Sequence, residues 1–193
     1  MKLDTHTLAK TVDAARGPAP PTYPHKATCV SLLFFGKQET RLLAVLKADR
    51  EGYPWRNQIA LPGGHIDDTD PTPMHAALRE LEEELNIMPA NVSYFGSLGH
   101  FQTLANRVIE VFVGTWNQED EIRHEEHEIA RVLKIPLKTI LDTHISQRFH
   151  GRMPDYGELL YPYDGLVVWG VTAKIFHFFL EHLYPFVEES NSS

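Results

Sequence analysis

The sequence predicts an α/β sandwich, a mixed β-sheet flanked by helices. Three observations predict it: strand-like runs on both sides of a segment with helical spacing, a second long helical run near the C-terminus, and an ordinary globular composition. Apolar residues make up 42% and charged residues 23% of the 193 residues, which suits one domain with a sizeable core. Residues 3–16 read as a short amphipathic helix, and 17–24 (GPAPPTYP) as a proline-rich connector. Thr28 to Phe35 and Arg41 to Leu46 read as two strands joined through Gly36 in a hairpin. A polar loop, 48–57, leads to a short strand at Ile59 to Leu61. Val92 to His100 and Arg107 to Trp116 read as further strands, and Glu119 to His127 as an acidic loop. A strand at Ala130 to Leu133 and a short helix from Pro136 follow. An aromatic and polar stretch, 144–163, precedes a final helix near Leu166 to Leu183. The expected organisation is 1–24 as helix and connector, 25–185 as one domain, and 186–193 as a flexible tail.

The chemistry concentrates in Leu61 to Ile87, LPGGHIDDTDPTPMHAALRELEEELNI. Thr72 is a good N-cap and Pro73 fits the first helical turn. Met74, Ala77, Leu78, Leu81 and Leu85 recur at intervals of three and four, one buried stripe. Asn86 stands where the helix should stop and tolerates the left-handed conformation of a helix end. Glu80, Glu83 and Glu84 share a flank, while Glu82 points elsewhere and is expected to be solvated. Like charges one turn apart repel, and a hard divalent cation reverses that sign. An acidic run on a helix is ordinarily a solvated face; the Gly63-Gly64 pair beside it, which permits close backbone approach, argues for more.

These residues resemble a Nudix box, the motif of Nudix hydrolases, written G-x5-E-x7-R-E-U-x-E-E-x-G-U with U aliphatic. Gly64 fits the leading glycine, Asp70 stands at the early glutamate, and Arg79 to Ile87 fit the rest with Asn86 in place of the last glycine. One extra residue separates Asp70 from Arg79. The DDTDPT loop followed by AALRE resembles the coenzyme A pyrophosphatase branch. So do Leu42-Leu43, Gln58 to Gly64, the HEEHEIARVLKIPL segment containing Glu128, and Val168 to Ala173 (V-W-G-x-T-A) at the start of the last helix. The upstream coenzyme A motif is altered: Leu46-Lys47-Ala48 stands near its R-S, and Asn57 replaces the glycine before Gln58.

The resemblance implies a Nudix-type α/β/α sandwich and hydrolysis of a diphosphate linkage with Mg²⁺ or Mn²⁺. The expected metal ligands are Glu80, Glu84, Glu83 and a backbone carbonyl near Gly64. Glu83 and Glu128 are the candidate bases, with Glu125 and Glu126 as loop alternatives. Arg79 is expected to hold a glutamate in place. Metal ions neutralise phosphoryl oxygens, orient water and lower its pKa. The expected substrate is a small nucleoside diphosphate derivative, coenzyme A first; ADP-ribose or another nucleotide sugar, and a non-catalytic nucleotide sensor, are the alternatives.

The net charge of −8 argues against nucleic acid as a steady partner. Cys29 is the single cysteine, which excludes an internal disulfide and suits a reducing cytoplasm; a core position is expected for it. No signal peptide or membrane span is expected, and a homodimer is left open. Among the eleven histidines, His124 with His127 and His144 with His150 are the pairs worth weighing as zinc ligands, but no paired Cys–His spacing supports zinc. Phe149, Tyr156, Tyr161 and Tyr163 are expected to pack rather than to stack on a base.

Overall fold

In a computed structural model, residues 1–22, 26–52, 55–103 and 107–191 are described. A mixed sheet is covered on one face by a helix carrying the acidic motif and on the other by three helices. The elements are α1 (Thr5–Ala14), β1 (Lys26–Phe35), β2 (Arg41–Lys47), β3 (Ile59–Ala60), β4 (Gly63–His65), α2 (Pro73–Leu85), β5 (Val92–Gln102), β6 (Arg107–Trp116), β7 (Ile129–Pro136), α3 (Leu137–Ser146), β8 (Tyr161–Tyr163), β9 (Leu166–Val168) and α4 (Gly170–Asn191).

The sheet opens like a V, and that opening positions the site. β1 and β2 pair as the expected hairpin only at Phe34↔Leu42 and Phe35↔Arg41, then diverge. The segment 59–65 fills the gap, with β3 pairing β2 at Val45↔Ala60 and β4 pairing β1 at Cys29↔Gly64. The turn between them is fastened by the Ser31 N–H on the Pro62 carbonyl at 2.9 Å, and the entry to β3 by the Lys47 N–H on the Gln58 carbonyl at 3.0 Å. β1 runs parallel to β6, β6 antiparallel to β5, and β7 antiparallel to β2.

The period of two along a strand assigns side chains to faces. Leu33, Phe35, Leu43 and Val45 pack with Leu81 and Leu85 of α2, while Cys29 meets Ala76 and Ala77. Leu32, Phe34, Leu42 and Ala44 point the other way, into the larger core built by α1, α3 and α4. Lys47 follows Leu43 and Val45 in this alternation, so it is directed at α2. Leu81 and Leu85 are fully buried, each stabilising α2 on the sheet by roughly 1.5–3 kcal/mol.

α2 begins and ends as the sequence predicts. The Thr72 side chain accepts from the His75 N–H, and Asn86 closes the helix at φ 57°, ψ 32° with its N–H on the Glu82 and Leu81 carbonyls. The buried stripe shifts slightly: Ala76 joins it, while Met74 and Leu78 are only half-buried.

Two expectations change, both at the final helix. The final helix starts at Gly170, not near Leu166, because Tyr161–Tyr163 and Leu166–Val168 form a hairpin. Its turn, Asp164-Gly165, has φ of 51° and 74°, the left-handed pair that a two-residue hairpin turn requires and that Asp-Gly supplies. Trp169 therefore precedes the helix rather than opening it. Helix α4 also continues to Asn191, where a tail was expected from residue 186, because Tyr184 and Val187 extend its apolar stripe onto the core. At the other end, Leu8 and Val12 of α1 lie in the same core cluster as the sheet. The Pro18 carbonyl accepts from the His100 N–H at 2.8 Å, so the connector covers part of the β5 edge. Residues 23–25, 53–54 and 192–193, parts of the expected connector, polar loop and tail, lie outside the described residues. Among the described residues no helix is long and apolar enough to cross a membrane.

Candidate active site

The V between β1 and β2 opens into a cleft of about 290 Å³ whose walls include Glu80, Glu84, Glu128, Lys47 and Gly64. Each arrives by local necessity. Gly63 and Gly64 open β4, which is paired with β1 and brings the backbone against α2. A Cβ on Gly64 would lie 2.5 Å from the carboxylate of Glu80, so only glycine lets that carboxylate rest against the strand. The neighbouring Gly63 N–H donates to Glu84 Oε2 at 3.0 Å.

Glu84 is buried, and its other oxygen is 2.6 Å from Lys47 Nζ. The same ammonium reaches Glu128 Oε1 at 3.3 Å, bridging α2 to the start of β7. Burial pushes the Glu84 carboxyl above the usual carboxylate range, against the pull of Lys47 and the Gly63 N–H. Burial likewise raises Glu80, with Arg79 opposing. Both carboxylates are desolvated without full compensation.

Arg79 organises the outer side of this group. Its Nε and Nη2 grip Asp70 at 3.1 and 3.0 Å, Nη2 also donates to the His65 carbonyl, and Nη1 reaches Glu80 at 3.0 Å and Glu83 at 2.9 Å. The Arg79 guanidinium holds Asp70 well below the usual carboxylate range, and Asp70 in turn raises Arg79. Arg79 is thus a positioning residue, and Asp70, at the early acidic position of the motif, is its anchor.

Of the expected site residues, Glu80, Glu84, Glu128 and Gly64 share one cleft. Glu83 does not line it. At about 100° per residue, Glu83 lies about 60° to one side of Glu80 and Glu84 about 40° to the other, and only the latter turn faces β4. Glu83 is exposed and tied to Arg79. Glu125 and Glu126 are exposed and do not line the cleft. Cys29 is buried and its thiol is pushed up to about 12 by burial and then by Glu80, which makes it a core residue and not a nucleophile.

Several cleft residues escaped the sequence reading. Lys47 stood out only as a departure from a motif. Trp55 and Arg107 meet across the mouth, the guanidinium 4.6 Å from the ring centroid, with Arg107 Nη1 3.4 Å from His65 Nε2. No periodicity relates positions so far apart. The two glycine-to-asparagine departures have a common explanation: Asn57 and Asn86 both have positive φ, 55° and 57°, and asparagine is among the residues that best tolerate that region.

Phe149 and Tyr161 are core residues. Tyr156 donates to the Gln102 carbonyl and Tyr163 to the Lys134 carbonyl. All four therefore pack or tie loops. His127 is exposed, 3.7 Å from Glu125.

The donor set fits a hard divalent cation. Asp67, Asp70, Glu80, Glu83, Glu84 and Glu128 are six carboxylates arranged around two cations, Lys47 and Arg79, a formal excess of four negative charges. Oxygen donors in such excess suit Mg²⁺ or Mn²⁺.

A model of the NUDIX domain matches residues 25–152. The Nudix hydrolase NudL of Escherichia coli strain K12 is 35% identical over 123 residues, 61% of this chain and 62% of that protein. NudL of Shigella boydii serotype 18 matches to the same extent; the chain therefore matches less than two thirds of these relatives' length. Among solved structures, the MutT protein of Methanosarcina mazei Go1 superposes with a TM-score of 0.53 at 15% identity, covering 83% of this chain and 96% of that one. A C. elegans Ap4A hydrolase binary complex superposes with a TM-score of 0.50 at 18% identity, covering 60% and 83%. These structures share the mixed α/β fold, and Nudix hydrolases generally use divalent metal ions. With the matched domain spanning both the sheet and the acidic helix, the chain belongs to the Nudix family.

Proposed function

We propose that this chain hydrolyses the diphosphate linkage of a nucleoside diphosphate derivative with the help of Mg²⁺ or Mn²⁺. The observation that carries this reading is the group of desolvated carboxylates, Glu80 and Glu84, set against the Gly64 backbone with Glu128 across the cleft. Glu80 and Glu84 would hold the metal, with the Gly64 carbonyl as a further oxygen donor. Glu84 has both oxygens engaged, but each carboxylate oxygen offers a second lone pair. A bound divalent cation supplies charge neutralisation at the phosphoryl oxygens and a more acidic water.

The chain's own groups do the rest. Arg79 fixes Glu80 by one Nη1 bond and braces the loop through Asp70 and the His65 carbonyl. Glu128, half-exposed at the cleft wall, is the favoured proton acceptor for the attacking water, and Lys47 holds its carboxylate toward the site. Glu83, bound to Arg79 outside the cleft, is better suited to aligning Arg79 than to acting as the base. At the mouth, Arg107 offers positive charge to a phosphate and Trp55 an aromatic face.

Coenzyme A or a related species is the favoured substrate, supported by the DDTDPT loop and the flanking segments. One observation favours ADP-ribose or another nucleotide sugar instead: Lys47, near the position of the coenzyme A motif's R-S, is turned inward onto Glu84 and presents no charge to a 3′-phosphate. Incubation with Mg²⁺ or Mn²⁺ and a panel of coenzyme A, acyl-coenzyme A, ADP-ribose, NADH and dinucleoside polyphosphates, with product identification, tests both. Cleavage of coenzyme A to adenosine 3′,5′-bisphosphate and a 4′-phosphopantetheine fragment is the expected result. Turnover of ADP-ribose with coenzyme A untouched selects the second substrate class. Tight binding without turnover of any member would sink the hydrolase reading.

A further inference from the structure

On the face of the sheet opposite α2, three helix residues converge without any role in the cleft. His144 lies in the last turn of α3, and His177 and Glu181 stand one turn apart on α4. One ligand atom from each lies within 4.8 Å of the other two, and among the described residues no other group of three or more histidine, cysteine or acidic side chains does so. His144 Nε2 is 2.7 Å from Glu181 Oε1, and His150 Nδ1 approaches the same oxygen at 3.0 Å. We propose that His144, His177 and Glu181, with His150 as the fourth donor, form a transition-metal site for an ion of zinc's chemistry, separate from the divalent site of the cleft.

The partners of these groups support the assignment. A ligating histidine ordinarily has its other nitrogen held by a carbonyl, carboxylate or hydroxyl, and a ligating carboxylate is itself hydrogen-bonded. Here His144 Nδ1 is 3.0 Å from Tyr161 Oη. His177 Nε2 donates to the Phe149 carbonyl at 3.3 Å, which leaves the lone pair on Nδ1. Glu181 Oε2 accepts from the Gly151 N–H at 3.0 Å. Without an ion, Tyr161 donates to His144 Nδ1 and Nε2–H donates to Glu181. With one, the tyrosine hydroxyl rotates to accept from Nδ1–H and Nε2 is free to ligate. A hydroxyl serves both arrangements, so the change is one of tautomer within a neutral ring.

Two imidazoles and a carboxylate, completed by a third imidazole, suit zinc, which takes nitrogen and oxygen donors tetrahedrally at about 2.0–2.2 Å. His144 is fully buried, whereas His150 and Glu181 are partly open to solvent, which provides a path of entry. The ion would clamp α3 to α4. The first turns of α4 carry Val171, Thr172 and Ile175 into the cleft, so the clamp would steady one wall of it.

The test uses the full chain and its Glu84→Gln variant, titrated with Co²⁺ and then Zn²⁺. Visible d–d absorption and the unfolding temperature are the readouts. The expected result in both proteins is one equivalent of cobalt with bands of low-coordinate nitrogen ligation, displacement by zinc, and a higher unfolding temperature with zinc. His177→Gln should lose the bands and the zinc-dependent rise. Glu181→Gln, which keeps the side chain's size, should do the same if His177→Gln does not fold. Cobalt uptake weaker than about 1 mM, unchanged bands in a folded His177→Gln or Glu181→Gln variant, or loss of the bands in Glu84→Gln would each overturn the proposal.

Discussion

The molecule carries two polar clusters, one on each face of the sheet, and they are built differently. The group in and around the cleft beside α2 sets six carboxylates against two cations and leaves Glu80 and Glu84 desolvated. The cluster between α3 and α4 has one carboxylate and three histidines. There the pull of burial on Glu181 is outweighed by the Gly151 N–H, His144 and His150, which hold it below the usual carboxylate range. The first arrangement is left needing positive charge. The second is satisfied by its own hydrogen bonds and offers imidazole nitrogens. The difference teaches that charge balance and donor type, more than the presence of acidic residues, separate a cluster suited to a hard ion from one suited to a softer ion.

Five substitutions press on that contrast. The largest effect is expected from Glu84→Gln, which should lower diphosphate hydrolysis by about 10³-fold, the loss of several kcal/mol of transition-state charge stabilisation. The circular dichroism spectrum should stay unchanged. His177→Gln, assayed in parallel with saturating Mg²⁺, should stay within about threefold of the parent. Equal losses in both variants would merge the two clusters into one functional unit.

Next comes Lys47→Met. Removing one partner of a buried ion pair costs about 3–5 kcal/mol, so the unfolding free energy in chelator should fall by about 3 kcal/mol. Mg²⁺ should recover a large part of that, because Glu84 is then free for it. A variant as stable as the parent in chelator would show that the ammonium does not balance Glu84.

Gly64→Ala should act on ion affinity more than on stability, since the added carbon meets the end of a flexible glutamate. The Mg²⁺ concentration for half-maximal activity should rise about tenfold. An unchanged activation curve would remove Glu80 from the metal shell.

The smallest effect is expected from Asp70→Asn. Arg79 depresses the Asp70 pKa, so its contribution is present above the unfolded value of about 3.9 and is lost as pH falls through the folded value. Unfolding temperature measured from pH 5 to pH 2.5 should fall less steeply in the variant than in the parent. Parallel curves would show that the Arg79–Asp70 pair contributes nothing to acid stability.

Much of the cleft was readable in the chain because its chemistry is local. The spacing of Leu81 and Leu85 set the buried side of α2 and so the side on which Glu80 and Glu84 stand. Thr72 and Asn86 marked its ends. The Asp164-Gly165 turn is equally local: it closes the β8–β9 hairpin and so delays the final helix to Gly170. Other features had no local signal. Lys47 and Glu84 are 37 residues apart, as are His144 and Glu181, and nothing in either segment announces its partner.

From the residues alone came the helix with its caps, the strands around it, a glycine pair free for close backbone approach beside the carboxylates, and the acidic run. These depend on periodicity, backbone freedom and charge within a few turns of chain. The fold settled which carboxylates enter the cleft, why Lys47 faces them, and that three histidines meet across α3 and α4. Those outcomes depend on where β1 and β2 part and on how α4 lies over the sheet. Such long-range packing is set by the whole core at once, and no single segment encodes it.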